Sequence, residues 1–369
     1  MNNLLNTINE TLLMGPGPSS VAPTVYSSIG KSTIGHLDPK FIEIMDAIKL
    51  QLQTLMGTKN ELTIPISGTG SAGMETCFVN LIEHGEEVLI LSNGVFGGRM
   101  IDVCERLGAN VDSINQKWGE PITTDMISKK INSKKYDLIA IVHAETSTGV
   151  LNPIKELAPL IKESNALFVV DAVTSLGGVE ICMDDWGIDA LYSGTQKCLS
   201  CPPGLSPVSF SERAVNKLMN RKSKVPNWYL DLSMIANYWS GKQRAYHHTA
   251  PINMVYALYQ ALFDIIEEGP KKTFQKHADA HQYLLQKLEE LNLELLVEKK
   301  YRLPMLNAIK IPAGISDIDV RSSLLNDYNI EIGGGLGNLA GNVWRVGLMG
   351  HTARNENIDR LFNALSSIL

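Results

Sequence analysis

Cysteine is scarce in this chain of 369 residues: there are five, an odd number. So few in so long a chain exclude a disulfide-stapled scaffold and suit a reducing compartment. Long apolar runs are missing too; stretches such as residues 88–91 and 166–170 are far too short to span a bilayer. The opening residues lack a basic region followed by an apolar one, so no secretory signal is expected. The chain reads as cytoplasmic, with no membrane partner. Excess positive charge is absent: 33 Lys and Arg against 39 Asp and Glu leave a net charge of −6, with no basic block at either terminus. That balance speaks against a nucleic-acid partner held by a broad electrostatic footprint.

What is present points to an ordinary folded chain, 44% apolar and 20% charged. Its length predicts one large domain and a smaller one. Residues 1–20 form a polar lead ending in Met14-Gly-Pro-Gly-Pro18, which is neither regular helix nor strand. The apolar spacing of Phe41, Ile44, Met45 and Ile48 predicts a helix over 39–56. Short β-rich runs follow at 62–67, 87–91, 137–142, 166–170, 190–193 and 205–210, with turns and helical stretches among them. The alternation predicts an α/β fold with a mostly parallel sheet covered on both faces. The large domain is expected over 21–269. From about residue 270 a charge-rich helix leads into expected strands at 293–297, 307–311, 330–332 and 343–348, with helices at 317–326 and 357–369. That stretch, 270–369, reads as a smaller α+β domain.

Three features carry chemistry. The run Ile66-Ser-Gly-Thr-Gly-Ser-Ala-Gly-Met-Glu75 lies between a strand and a helix. Glycines there let a ligand approach the backbone, and a helix start offers free N–H groups to an anion such as a phosphate. The run lacks the Gly-Lys-Ser/Thr end of a Walker loop and is read as short of a full dinucleotide fingerprint, which disfavours a nucleotide and a nicotinamide-dependent dehydrogenase. Asp171 follows the buried-type run 166–170, at the carboxyl end of a strand, where open α/β sheets bind ligands. Lys197 lies 26 residues further on, in a loop closed by Pro202-Pro203-Gly204. Alone, each has a bland explanation: a tight turn, a helix cap, a solvated lysine. Together they are the parts a pyridoxal phosphate enzyme needs, namely a lysine for the Schiff base, an acid for the pyridine nitrogen and a phosphate cradle.

Longer motifs sharpen this reading. Asn93-Gly-Val-Phe-Gly97, His143-Ala-Glu-Thr-Ser-Thr-Gly149, Val170-Asp-Ala-Val-Thr-Ser-Leu-Gly-Gly178 and Tyr192-Ser-Gly-Thr-Gln-Lys197 resemble class V aminotransferases, above all the alanine/serine–glyoxylate (serine–pyruvate) group. Residues 33–39, 246–251 and 344–348 extend the likeness over nearly the whole chain. The resemblance implies the pyridoxal-phosphate fold type I and transamination of a small amino acid, serine or alanine, with glyoxylate or pyruvate as acceptor. It also implies a homodimer with shared active sites. Carried over residue by residue, Thr69, Gly70, Ser71 and Gln196 match phosphate contacts, and Phe96 matches the aromatic stacked on the cofactor ring. Thr146 matches the group near its phenolic oxygen, Asp171 and Val173 those around the ring nitrogen and opposite face, and Lys197 the cofactor-bearing lysine. Tyr246 and Thr249 match residues reaching the phosphate of the neighbouring subunit, and Arg345 matches the arginine that grips the substrate α-carboxylate.

Alternative chemistries on the same fold are ureidoglycine–glyoxylate transamination, a lyase reaction and cysteine desulfuration. The last is disfavoured because Gln196 rather than histidine precedes the lysine and no cysteine follows Cys201. Cys198 and Cys201 form an isolated pair without a second pair at ligand spacing, and His247-His248 have no acidic or cysteine partner nearby in sequence. No metal site is expected. The run Gly333-Gly334-Gly335 reads as a shaped loop near the substrate mouth.

Overall fold

The computed structural model describes residues 3–239 and 244–369. Its centre is a seven-stranded sheet, in the spatial order Leu62–Ser67, Leu205–Phe210, Ala190–Tyr192, Leu167–Asp171, Leu138–Val142, Glu87–Ser92 and Asn110–Asn115. Five consecutive strands in this row pair in parallel, and Leu205–Phe210 runs antiparallel to both of its neighbours. The inner strands Leu138–Val142 and Leu167–Asp171 are buried along their whole length. This explains their continuous apolar character: helices cover both faces, so no position is left for an alternating polar residue. The edge strand Asn110–Asn115 is not among the expected strands. It is only partly buried and polar in sequence, because one neighbour and an open edge place little demand on its side chains.

Helices Pro39–Met56 and Ile252–Glu268 pack together over the sheet, each with an apolar stripe facing the core. Asp38 caps the first by accepting the Lys40 N–H at 2.8 Å, and Gly57, at φ 63°, ends it. A second apolar cluster lies around the antiparallel strands Leu306–Lys310, Val343–Gly347 and Gly333–Gly334, with helices Pro270–Glu290, Asp317–Tyr328 and Asn355–Ile368. The strand expected at 293–297 is reduced to one isolated bridge between Leu295 and Ile309. Apolar content alone does not supply a pairing partner along that run.

The polar lead does more than precede the fold. Residues 1 and 2 lie outside the described residues, but Leu12–Leu13 forms a parallel pair with Ile330–Glu331, and Leu12 and Met14 bury themselves in the second cluster. From there the chain crosses to the main sheet: Met14 O accepts from Gly347 N at 2.7 Å, and Ser19 N donates to Gln196 O at 2.9 Å. The segment therefore bridges the two apolar cores, directly over the loop that carries Lys197.

Candidate active site

Three strand ends stand in one row. Val142, Asp171 and Tyr192 are the last residues of adjacent parallel strands and are paired in register. All three line one cavity, together with Gly70, Ser71, Phe96, Thr146, Val173, Gln196 and Lys197. The location is the carboxyl edge of the sheet, where the backbone leaves each strand and side chains from several loops converge.

Two helices point their N-termini at this edge. Gly70–Leu81 starts immediately after Thr69, whose side chain makes no capping hydrogen bond. The hydroxyl and the first N–H groups of the helix are thus left for a ligand. The expected glycine turn is shorter than its spelling suggests, since Gly70 and Gly73 already belong to the helix. Helix Val95–Arg106 brings Phe96 to the cavity wall in its first turn. Opposite, Gln196 Oε1 is buried without a hydrogen-bond partner among the described residues. A buried acceptor left unsatisfied costs free energy, and a contact from Gln196 to a phosphate would be made by its Nε2–H groups, since phosphate oxygens accept.

Burial governs the charges. Asp171 is 6% exposed; Val173 N–H donates to its Oδ1 at 2.8 Å. Burial pushes its carboxyl up to about 7, with the Glu145 charge adding to the rise and the Val173 N–H and Lys197 opposing it. A cation placed against Asp171 would reverse that rise. Lys197 is 9% exposed, and burial brings its amine down to about 8, with Arg345 pushing the same way and Cys198 and Asp171 resisting. Its Nζ donates to the Pro16 carbonyl. Gly17, at φ 106°, lies against the same amine, and a Cβ there would collide with Nζ. Only glycine permits the lead to lie this close over the lysine.

Arg345 is buried beside this cavity in strand Val343–Gly347. Its Nε donates to Gly334 O at 2.7 Å and its Nη1 to Thr146 O at 3.2 Å. No carboxylate lies within ion-pair distance of it among the described residues. A buried guanidinium satisfied only by carbonyls keeps its charge available for an incoming anion. The triple glycine is expected to be a loop; Gly333–Gly334 instead forms a short strand paired against Trp344 and Arg345, and Gly334 supplies the carbonyl that Arg345 Nε bonds.

Tyr246 and Thr249 stand apart. They are exposed and contact each other, Tyr246 OH to Thr249 Oγ1 at 3.5 Å, without lining the cavity of their own chain. Cys198 and Cys201 are both free and buried, and burial pushes each thiol up to about 12. His247 and His248 bond each other through Nδ1 at 2.8 Å, and His248 Nε2 meets Ser67 Oγ at 2.7 Å. The cavity residues Arg99 and Tyr192, and the lead residues over Lys197, have no role in the sequence reading. Tyr192 shares with Asp171 the signal of a strand's carboxyl end. Nothing local marks Pro16, whose partner lies 181 residues away.

One reading of the glycine run needs correction. Gly68, Gly70 and Gly73 do have the Gly-x-Gly-x-x-Gly spacing of a dinucleotide fingerprint. Spelling therefore does not disfavour a nicotinamide enzyme; the structure does. The strand before the run pairs only with the antiparallel Leu205–Phe210, outside the parallel βαβ unit that the fingerprint requires.

A phosphate-ready helix start, a buried acid and a buried lysine at one sheet edge define the class of pyridoxal phosphate enzymes with this α/β fold. The chain belongs to the class V aminotransferase family, whose model matches residues 23–361, and it is a pyridoxal-phosphate-dependent aminotransferase. It is 40% identical over 361 residues to the alanine–glyoxylate aminotransferase of Oryctolagus cuniculus, covering 97% of this chain and 92% of that protein. It is 35% identical to the (S)-ureidoglycine–glyoxylate transaminase of Bacillus subtilis, covering 97% and 90% respectively. The crystal structure of an alanine–glyoxylate aminotransferase from Nostoc sp. superposes with a TM-score of 0.95 at 45% identity, over 100% of this chain and 99% of that one.

The lowered Lys197 amine has a measurable consequence. Only the neutral amine attacks a carbonyl, and at pH 7 about one in ten molecules carries it if Lys197 titrates near 8, against about one in three thousand for an ordinary lysine. Covalent uptake of pyridoxal phosphate by the apoprotein, followed by stopped-flow absorbance, should accelerate with pH and level off above about pH 8. A rate still climbing about tenfold per pH unit at about pH 9.5 would contradict the buried-amine account.

Proposed function

We propose that this aminotransferase moves the amino group of a small amino acid, alanine or serine, to glyoxylate or pyruvate. The observation that carries this reading is the buried Arg345, bonded to carbonyls and to no carboxylate among the described residues, beside a Lys197 roofed by Pro16 and Gly17. An amino acid anchored by its α-carboxylate on Arg345 must bring Cα close to the lysine. The roof then limits how large a side chain can stand there.

In this reading Thr69, Gly70, Ser71 and Gln196 would hold the cofactor phosphate, Phe96 and Val173 would enclose its ring, Thr146 would contact its phenolic oxygen, and Asp171 would face its nitrogen. When bound, the cofactor supplies a carbonyl that accepts the amino group and a ring that takes up the electron pair left on Cα. The neutral amine of Lys197 would take the proton from substrate Cα at Nζ. The Arg345 fork pairs two N–H donors with the two carboxylate oxygens and so fixes which Cα bond faces the ring. Asp171, as an anion, favours a protonated ring nitrogen.

Ureidoglycine is the second donor to consider, because a relative of that specificity from B. subtilis also gives a TM-score of 0.96 at 36% identity. Desulfuration finds no support in the high thiol pKa of Cys198 beside the lysine. We further propose a homodimer in which Tyr246 and Thr249 complete the partner's phosphate site. Supporting it is an exposed aromatic patch around Tyr246, with Trp228 at 60% exposure and Tyr229 at 41%.

Two measurements test these proposals. Arg345→Ala removes a charged pair worth about 2–5 kcal/mol, so kcat/KM should fall at least about 30-fold for both amino acid and oxo acid while the cofactor absorbance stays unchanged. Alanine and serine with glyoxylate or pyruvate should outperform longer donors in the same assay. Normal efficiency in the variant, or a preference for bulky donors, would overturn the reading. Sedimentation should give a dimer; a fully active monomer would reject the shared site.

A further inference from the structure

Helix Val95–Arg106 has no cap of its own. Its N-cap position is Gly94, which offers no side chain to the first-turn N–H groups. The cap arrives instead from about fifty residues away, in the turn after strand Leu138–Val142. Ser147 Oγ accepts from Val95 N at 3.0 Å and donates to Glu145 Oε1 at 2.5 Å. Glu145 Oε1 also accepts from Ser147 N at 3.0 Å, and its Oε2 accepts from Phe96 N at 3.2 Å. Glycine is required at 94 because the carboxylate occupies the adjoining space, and a Cβ there would collide with Glu145 Cδ.

Glu145 is completely buried, an unfavourable place for a carboxylate. Burial holds its carboxyl above the usual carboxylate range, and the hydrogen bonds from Ser147 and Phe96 and the positive end of the helix offset part of that cost. The turn that follows its short strand, Ala144–Glu145, approaches the cavity as well. Thr146, the next residue, lines the cavity, and its carbonyl accepts from Arg345 Nη1 at 3.2 Å.

We propose that Glu145 is a positioning residue that sets the place of Phe96 over the cofactor ring and, through the Thr146 carbonyl, the place of Arg345. It touches neither cofactor nor substrate. The proposal rests on the reading of Phe96 and Arg345 given above and adds the element that holds them in a common frame. A carboxylate is required because every hydrogen bond at its two oxygens is received. An amide in its place would turn N–H groups toward either the Ser147 or the Phe96 donors, leaving buried donors unpaired.

The test compares Glu145→Gln, Ser147→Ala, Ser147→Thr and Phe96→Ala with the parent. Cofactor affinity is read by titrating resolved apoprotein with pyridoxal phosphate, and ring orientation by the induced circular dichroism of the bound cofactor. Glu145→Gln should bind cofactor about 10- to 100-fold more weakly, with an altered dichroic band and a raised KM for the amino acid. Ser147→Ala should show the same defects more mildly, and Ser147→Thr should restore the parent signal. Adding Ser147→Ala to Glu145→Gln should not deepen the loss, because both changes break one network. Parent-like affinity and dichroism in Ser147→Ala, which loses only a hydroxyl, and in any folded Glu145→Gln would overturn the proposal, provided Phe96→Ala is defective. A parent-like Phe96→Ala would instead overturn the stacking role on which it rests.

Discussion

A buried amine needs a partner, and much of the site follows from how Lys197 obtains one. Its Nζ has left water at the carboxyl edge of the main sheet and donates to the carbonyl of Pro16. That bond requires the amino-terminal lead to cross from the second apolar core, where Leu12 and Met14 are anchored, to the loop behind Tyr192. Glycine at 17 then becomes obligatory. Ser19 ties the lead to the lysine loop by donating from N to Gln196 O and from Oγ to Lys197 O at 2.7 Å. The same desolvation lowers the amine and raises Asp171, so both groups sit near neutrality and respond to a charged ligand.

The remaining charges are kept from cancelling one another. Arg345 is neutralised by no carboxylate among the described residues and is bonded by carbonyls from Gly334 and Thr146. Glu145 is held by a helix start and a serine rather than by that arginine. Keeping cation and anion apart in a buried site costs some intrinsic stability and leaves the guanidinium without a carboxylate partner among the described residues, as the substrate-carboxylate role proposed for Arg345 requires. An aminotransferase must bind an amino acid and then an oxo acid in one place, and the feature common to both is the carboxylate.

Much of this is legible in the sequence because strong local signals coincide with the site. Continuous apolar runs mark the inner parallel strands, and Asp171 falls at the end of one of them. Helix Pro39–Met56 shows in the apolar spacing of Phe41, Ile44, Met45 and Ile48, three of which are buried on its core face. The resemblance then names twelve positions, of which eight line the cavity: Gly70, Ser71, Phe96, Thr146, Asp171, Val173, Gln196 and Lys197. What escapes depends on distance along the chain. The polar edge strand Asn110–Asn115 is created by its neighbour, the lead's pairing with Ile330–Glu331 joins the two ends, and the cap on Phe96's helix comes from Glu145 and Ser147. Tyr246 and Thr249 illustrate another limit: their assigned role concerns a second copy of the chain, which a single fold does not display.

Lys197 is the residue on which the organisation of the site depends. Reducing the holoenzyme with borohydride fixes the cofactor to whichever amine carries it, and digestion with mass-spectrometric mapping then locates the modified residue. The label should appear on Lys197 of each chain and disappear in Lys197→Ala. Labelling of any other lysine in the parent, with Lys197 unmodified, would contradict the assignment and with it the organisation of the site around that buried amine.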